Sequence, residues 1–336
     1  MANETVRVRV YTIDKCGFYR WGGSKVEFGS LSGVLDSLKS WTDGKALKDT
    51  NTFDPAAAGA FGSYCLSVIE DSTSGDFLLV LWNEAPSTAA GVANVKADSP
   101  VGEPDLSTTA TPKGTISGFA TYFWFMPSEE RVVAAQVHKR ATGLRELEKY
   151  MRGFLEKFSG HTVLKGNDIA GYRKAGTDPV RSDVYPRFNT GAIRRAGLID
   201  TIRERRGDIK RLVRRETLAL GTTADPGLLF NVLRTLGLDP PSAGRDELSV
   251  TFQLEITPSE QELSAMVEHW GASSHAAEER MGFEIDGRKL WLDEALVKSQ
   301  FPLKVKWLSP EVVDPEELLT ALQGVRANVL ALEIDS

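Results

Sequence analysis

The sequence is poor in the residues that form disulfides and metal sites. Its 336 residues include only two cysteines, Cys16 and Cys65, and four histidines. His269 and His275 are six positions apart, so they lack the i, i+4 spacing of two zinc ligands on one helix. Two thiols in an intracellular protein are expected to stay reduced, because that compartment opposes disulfide formation. The sequence therefore predicts two buried thiols, no metal site and no cofactor.

Long apolar runs and familiar enzyme motifs are absent as well. No stretch approaches the roughly 18 to 20 apolar residues that cross a bilayer, and the opening MANETVRVRV lacks the apolar segment of a signal peptide. There is no GxxxxGK[ST] phosphate loop, no GxGxxG after a strand, no HExxH and no GxSxG. We therefore expect a cytoplasmic protein without enzymatic activity.

Charge is present in ordinary amount but is distributed unevenly along the chain. Residues 1–138 have 11 basic and 16 acidic side chains, residues 139–215 have 20 and 9, and residues 216–336 have 9 and 21. The middle of the chain is thus strongly basic, although the formal net charge of the whole is −6. An asymmetry of this kind indicates a polyanionic partner.

The basic charge is densest in FNTGAIRRAGLIDTIRERRGDIKRLVRR (188–215), which has nine basic and three acidic residues. Neutralising phosphates releases condensed counterions, and a guanidinium group suits phosphate through two parallel hydrogen bonds. No zinc finger or RNA-recognition motif accompanies this charge, which favours binding without sequence preference. The predicted cation set comprises Arg173, Lys174, Arg187, Arg194, Arg195, Arg203, Arg205, Arg206, Lys210, Arg211, Arg214 and Arg215.

Two other interpretations of these arginines stay open, and a third interpretation concerns residues elsewhere in the chain. The arginines could pair with carboxylates of the acidic last third, or they could dock an acidic partner protein. A metal-dependent nuclease is the third, with Glu284, Asp286 and Lys289 of FEIDGRK as its site, because such enzymes use carboxylates and often a lysine. Asp286-Gly287 is, however, also a strong hairpin signal. Glu278 and Glu279 near His275 form a weaker acidic group.

The secondary-structure pattern predicts strands that come in hairpins rather than singly between helices. The fold class is therefore α+β, with antiparallel sheets built from hairpins, packed helices and two domains. We expect an N-terminal α+β domain (1–160) with a mobile loop at 86–114, a basic connector with a helix or strand (161–225), and a C-terminal α+β domain (226–336). Within the last of these, Thr257 and Glu260 have capping-box spacing, and NVLALEI (328–334) is expected to be a strand.

Four segments together resemble the family of the phage lambda exclusion protein RexA. They are residues 17–38 (GFYRWGGSKVEFGSLSGVLDSL), 64–84 (YCLSVIEDSTSGDFLLVLWNE), 114–137 (GTISGFATYFWFMPSEERVVAAQV) and 226–256 (PGLLFNVLRTLGLDPPSAGRDELSVTFQLEI). The resemblance covers most of the chain but rests on aromatic and apolar spacing, not on a chemical signature.

The resemblance implies a homodimeric α+β protein that binds duplex DNA with little sequence preference. Such a protein senses phage-derived protein–DNA complexes and activates a membrane partner, RexB, in abortive infection. The resemblance also implies some likeness to the ring-forming DNA-binding protein RdgC, and it favours an extended strand for IKRLVRRETLAL (209–220). It assigns no DNA-contacting residue by position.

Overall fold

The computed structural model describes most of the chain. The described residues are 2–55, 61–85, 92–95, 106–110, 112–137, 143–166, 168–176, 178–193, 196–219, 247–272, 280–292 and 297–334. Within them the α-helices are α1 (Leu31–Thr42), α2 (Leu144–Lys157), α3 (Ala196–Glu204), α4 (Glu260–Ala272), α5 (Pro315–Gln323) and α6 (Arg326–Ile334).

The same residues form eighteen strands, all of them in antiparallel pairs. The first nine are β1 (Ala2–Arg20), β2 (Val26–Phe28), β3 (Ser63–Asp71), β4 (Asp76–Glu84), β5 (Val92–Val95), β6 (Leu106–Thr109), β7 (Gly118–Met126), β8 (Arg131–Gln136) and β9 (Thr162–Lys165). The others are β10 (Asp168–Tyr172), β11 (Val184–Ala192), β12 (Ile209–Ala219), β13 (Glu247–Glu255), β14 (Arg280–Ile285), β15 (Arg288–Trp291), β16 (Lys298–Val305), β17 (Trp307–Ser309) and β18 (Val312–Val313). The predicted α+β class with antiparallel sheets is confirmed.

Eight strands form the large sheet, in the order β11–β1–β8–β7–β4–β3, with β16 and β2 also paired to β1. The 19-residue β1 has two partners along one edge. Its first part pairs with β16 from Ala2↔Val305 to Arg9↔Lys298, and its second part pairs with β11. Because β16 belongs to this sheet, the sheets do not follow the domain boundary predicted at residue 226.

Helices cover both faces of the large sheet. On one face α1 and α2 pack Leu35 and Phe154 against Phe123 and its neighbours. On the other face α5 and α6 pack Leu318 and Val329 against Trp124 and its neighbours. Strands buried on both faces need apolar side chains at every position, not at alternate ones. This explains the unbroken apolar runs of β4 and β7.

A buried ion pair ties the C-terminal helices to the large sheet. Asp76, at the start of β4, is fully buried. Its Oδ2 accepts hydrogen bonds from Arg326 Nε at 3.0 Å, Gln323 Nε2 at 2.9 Å and Trp124 Nε1 at 3.1 Å. These hydrogen bonds to Asp76 therefore join α5 and α6 to the β3–β4 hairpin of the large sheet.

Four strands form the small sheet, in the order β13–β12–β14–β15, and its residues lie between β11 and β16 in the sequence. Leu212, Phe283 and Leu290 share one face, where they pack with α3 and α4. The turn between β14 and β15 is Asp286-Gly287, with φ of 48° and 74°. Positive φ at both central residues is the type I′ geometry, so the predicted hairpin is confirmed.

Several predicted elements differ from the structure. Residues 328–334 lie in the helix α6, not in a strand, because this segment buries Val329 against the large sheet while it follows directly on α5. The capping box is formed by Ser259 and Glu262, two residues after the predicted pair: Ser259 N donates to Glu262 Oε2 at 2.8 Å, and Glu262 N donates to Ser259 Oγ at 3.3 Å. The predicted pair was therefore wrong in register.

Two further segments require comment. Within the predicted loop 86–114, β5 pairs with β6 from Val92↔Thr109 to Val95↔Leu106, so this segment has a two-stranded ladder. Residues 220–246, which include the first part of the predicted C-terminal domain, lie outside the described residues. Both cysteines are buried and reduced, as predicted.

Candidate nucleic-acid interface

The central part of the predicted cation set lies on α3, β12 and the short turn between them. α3 forms because Leu198, Ile199 and Ile202 recur at helical spacing and pack into the core of the small sheet. β12 forms because its apolar residues Ile209, Leu212 and Val213, two of them β-branched, lie between two partner strands. Arg194 and Arg195 lie outside the described residues.

The arginines around α3 are paired with carboxylates. Arg203 lies 3.8 Å from Asp200 on the same helix, and Arg206 lies 3.8 Å from Glu260 at the start of α4. Arg205 contacts Asp286 in the β14–β15 turn, and the hydrogen bond with that carboxylate raises the pKa of the arginine. Some of the predicted cations are thus matched by acids that lie far away in sequence.

Arg205 has a second, local partner. Its Nε lies 3.3 Å from Asp208 Oδ2, three residues along the chain. The side chains in these pairs are about half exposed or more. Exposed ion pairs contribute about 0 to 1 kcal/mol each, so these pairs can exchange partners at small cost, but they remove the long-range positive field of α3.

β12 presents alternate residues to the face of the small sheet opposite α3 and α4, which we call the arginine face. It is defined by Arg211, Val213 and Arg215 with their cross-strand neighbours. Arg211 is flanked by Glu255 at 3.3 Å and Glu284 at 3.5 Å. Lys289 lies directly opposite Glu284, so this row has two cations and two carboxylates and is neutral.

Four residues further along β12, two arginines face each other across the arginine face. Arg215 lies directly opposite Thr251 on β13 and Arg280 on β14. The Trp291 ring centroid is 4.4 Å from the Arg280 guanidinium carbon and 5.8 Å from that of Arg215. Trp291 is 9% exposed, so the ring is held in place between its neighbours. We call Arg215, Arg280 and Trp291 the arginine–tryptophan cluster.

Like charges directly opposite each other on adjacent strands destabilise a sheet. The Trp291 ring offsets part of this cost through cation–π attraction to both guanidinium groups. Gly282 makes the arrangement possible, since any Cβ there would lie 2.5 Å from the Leu290 carbonyl oxygen and 3.0 Å from Trp291 Cα. A guanidinium group has five N–H donors, so stacking on a ring is compatible with hydrogen bonds to an oxyanion.

The remaining cations of β12 lie elsewhere on the small sheet. Lys210 is exposed beside the irregularity where Ile209 pairs with Ile285. Arg214 lies opposite Phe252 and Met281, on the side that faces the helices. Extended backbone therefore separates Arg214 from Arg215 onto opposite faces, as the predicted strand requires.

The other predicted cations lie on β11 of the large sheet and in the loop after β10, which belongs to a separate two-stranded sheet. Arg187 lies on β11, with its guanidinium carbon 4.5 Å from the Tyr185 ring centroid. Arg173 donates to the Gly176 carbonyl oxygen at 2.6 Å, and Lys174 is exposed in the same loop after β10. The predicted cation set thus occupies several separate places.

The sequence interpretation missed the partners that define the cluster. Arg280 and Trp291 lie outside the basic middle of the chain, and only the register of β12, β14 and β15 brings them to Arg215. The available signal was the strong hairpin GFEIDGRKLWL (282–292), whose alternation places Trp291 and Lys289 on one face.

The two carboxylates of the suggested nuclease site are paired with arginines. Glu284 accepts from Arg211, and Asp286 pairs with Arg205. Among the residues that the structure describes, no group of three His, Cys, Asp or Glu side chains is placed to hold a metal ion. His275, Glu278 and Glu279 lie outside those residues.

The two thiols are chemically quiet. Burial raises the pKa of Cys16 to about 12 and the pKa of Cys65 to about 12. A thiol is nucleophilic as its thiolate, so neither side chain is activated near neutral pH.

No family model matches the chain, and no curated protein or solved structure matches it either. Across the described ranges, no helix has the length and apolar character that a membrane span requires.

Proposed function

We propose that the protein binds nucleic acid through the phosphate backbone, without sequence preference, and that the arginine–tryptophan cluster is the main contact. The proposal is supported above all by one observation, the direct opposition of Arg215 and Arg280 beside Trp291. Two guanidinium groups at neighbouring strand positions suit a phosphodiester, whose oxygens can accept hydrogen bonds from both.

The ion pairs around α3 make this interface smaller than the predicted cation set. Arg203, Arg205, Arg206 and Arg211 each have a carboxylate within 4 Å or less, so each must exchange a partner to bind phosphate. Following the resemblance to RexA, we take duplex DNA as the ligand, a homodimer as the assembly and a membrane protein of the RexB type as a partner. A cytoplasmic location accords with this role.

A salt titration distinguishes the small interface from a nine-cation strip. Binding of a duplex of random sequence, followed by fluorescence anisotropy, should give log K against log [salt] with a slope of about −2 to −3. Nine equivalent phosphate contacts would instead give a slope of about −8. Two unrelated duplexes should give the same affinity and the same slope.

Charge reversal locates the interface. Arg215→Glu with Arg280→Glu should weaken duplex binding at least ten-fold and flatten the salt dependence, because two phosphate contacts are replaced by repulsion. Arg203→Glu is the matched control, with an expected change of less than three-fold. Equal loss in both variants, with folding unchanged by circular dichroism, would contradict the assignment, and no binding at 50 mM salt by the unaltered protein would contradict the function.

A further inference from the structure

An exposed aromatic stack lies at the end of the long β1–β11 ribbon of the large sheet. Trp21, in the turn after β1, is 75% exposed. Its ring stacks on Tyr185 of β11, with centroids 4.6 Å apart and planes 29° apart. Arg187 lies against the same tyrosine, 4.5 Å from the ring centroid. Trp21, Tyr185 and Arg187 therefore form a stacked series, which we call the Trp21 stack.

The backbone holds this stack in place. Tyr185 lies directly opposite Tyr19, and Arg187 lies directly opposite Gly17, in the ladder between β1 and β11. The turn that carries Trp21 is closed by a hydrogen bond from Gly23 N to the Arg20 carbonyl oxygen at 2.9 Å. A large side chain that is fixed but exposed loses little conformational entropy when a ligand covers it.

The carboxylates near the stack are already neutralised. Glu27 accepts from Arg181 at 2.7 Å and lies 3.2 Å from Arg20. Asp183 lies 2.6 Å from Arg181 and 3.7 Å from Arg20. The hydrogen bond from Arg181 lowers the pKa of Glu27 and of Asp183, so both stay ionised and paired.

Three cations of the same ribbon have no carboxylate partner among the described residues. Arg187 and Lys15 lie against aromatic rings, with Lys15 Nζ 5.3 Å from the Tyr19 ring centroid, and Lys25 is exposed in the Trp21 turn. Flat aromatic surface beside unmatched positive charge is the chemistry that binds single-stranded nucleic acid, where bases stack and the backbone meets cations.

We propose that the Trp21 stack is a second site, at which the exposed indole face of Trp21 stacks an unpaired nucleobase while Arg187, Lys15 and Lys25 contact the adjoining phosphates. The inference rests on the proposed nucleic-acid binding and adds to it a preference for single-stranded segments. Paired bases in a duplex interior present no free face, so the stack would not contribute to duplex binding.

The test compares the protein with Trp21→Ala and Trp21→Phe on three probes: a dT oligonucleotide of about 15 nucleotides, an abasic oligonucleotide of equal length, and a duplex. Trp21→Ala should weaken dT binding by about five- to a hundred-fold, since one stacked base contributes that much in proteins of this kind. Trp21→Phe should lose less, because phenylalanine keeps a ring. Abasic and duplex binding should change less than two-fold.

The abasic probe makes the test independent of any folding defect in a variant. The unaltered protein should itself bind dT more tightly than the abasic strand, and this comparison needs no substitution. Equal affinity for the two strands, or an equal loss on both with Trp21→Ala, would overturn the inference; an equal loss would show that the indole meets backbone or serves another ligand, such as a protein. Duplex binding that depends on Arg215 and Arg280, together with dT binding that is unchanged by Trp21→Ala, would overturn this inference and leave the proposed function standing. Absence of binding to all three probes would overturn the proposed function itself.

Discussion

The two sheets of this protein divide stability and charge between them. The large sheet is covered by helices on both faces and includes a buried ion pair, whereas the small sheet packs one face on α3 and α4 and carries Arg211, Arg215 and Arg280 on the other. The Asp76 carboxylate of the large sheet is fixed by burial, while the ion pairs around α3 are exposed and exchangeable. The comparison shows that a cluster of basic residues in a sequence indicates a binding surface only when the folded chain does not pair those residues with its own carboxylates.

The largest effect is expected from the buried pair of the large sheet. Arg326→Ala should lower the free energy of unfolding by about 3 to 5 kcal/mol, because it leaves the Asp76 carboxylate buried without its counter-charge. Urea denaturation followed by circular dichroism measures the change. The matched variant is Arg203→Ala on α3, which packs on the small sheet. Its ion pair with Asp200 is exposed and should contribute about 0 to 1 kcal/mol to the free energy of unfolding. A similar decrease in the free energy of unfolding for both variants would contradict the proposed difference between the two sheets.

A second effect should appear at high pH and come from the large sheet, where both thiols lie. A cysteine thiol that is not buried has a pKa of 9.0, and burial raises the pKa of each of these two thiols to about 12 in the folded protein. Between these values the unfolded chain releases the thiol protons while the folded chain retains them, so the free energy of unfolding falls as pH rises from 9 to 12.

At about one pH unit above 9 the expected loss is about 1 kcal/mol per thiol. Urea denaturation of the protein and of the double variant Cys16→Ala, Cys65→Ala, each compared between neutral pH and pH 10, isolates this contribution from that of the tyrosines. An identical pH dependence in the two proteins would show that the thiols are not the cause.

The smallest effect is expected at the N-terminal cap of α4, the helix that packs on the small sheet. Ser259→Ala removes the side-chain oxygen that accepts from Glu262 N, which should cost about 1 kcal/mol. Hydrogen exchange should quicken in α4 while α2 in the large sheet stays protected. Ser259→Asp is the control, since aspartate also caps helices and should restore slow exchange. Faster exchange in both helices would mean that the two sheets unfold as one unit.

The local features of the fold were predictable from sequence, and the long-range ones were not. Hairpins, the helix α1 with its Ser30 cap and the Asp286-Gly287 turn follow from period-two and period-3.6 patterns and from turn chemistry. Residues 328–334 misled the prediction because their β-branched and apolar composition suits a strand, while packing on the large sheet selects a helix. The pairing of β1 with β16 joins residues about 300 positions apart, and no local pattern encodes it.

The candidate sites show the same limit. Charge density located Arg215 and Arg187, but the neutralisation of Arg205 by Asp286 and the contact of Arg215 with Trp291 depend on strand register. The stack of Trp21 on Tyr185 joins two ends of one ladder. Sequence could therefore locate the candidate cations, but not show which of them lie beside carboxylates.

The dual pairing of β1 has a consequence for protein synthesis. Val6, Val8 and Val10 leave the ribosome about 300 residues before β16, which completes their edge of the sheet. At about 5 to 20 residues per second, this apolar strand waits roughly 15 to 60 s for its neighbour. During that interval it is a ready substrate for nascent-chain chaperones, and ribosome stalling before residue 298 should leave a chain that is prone to aggregate.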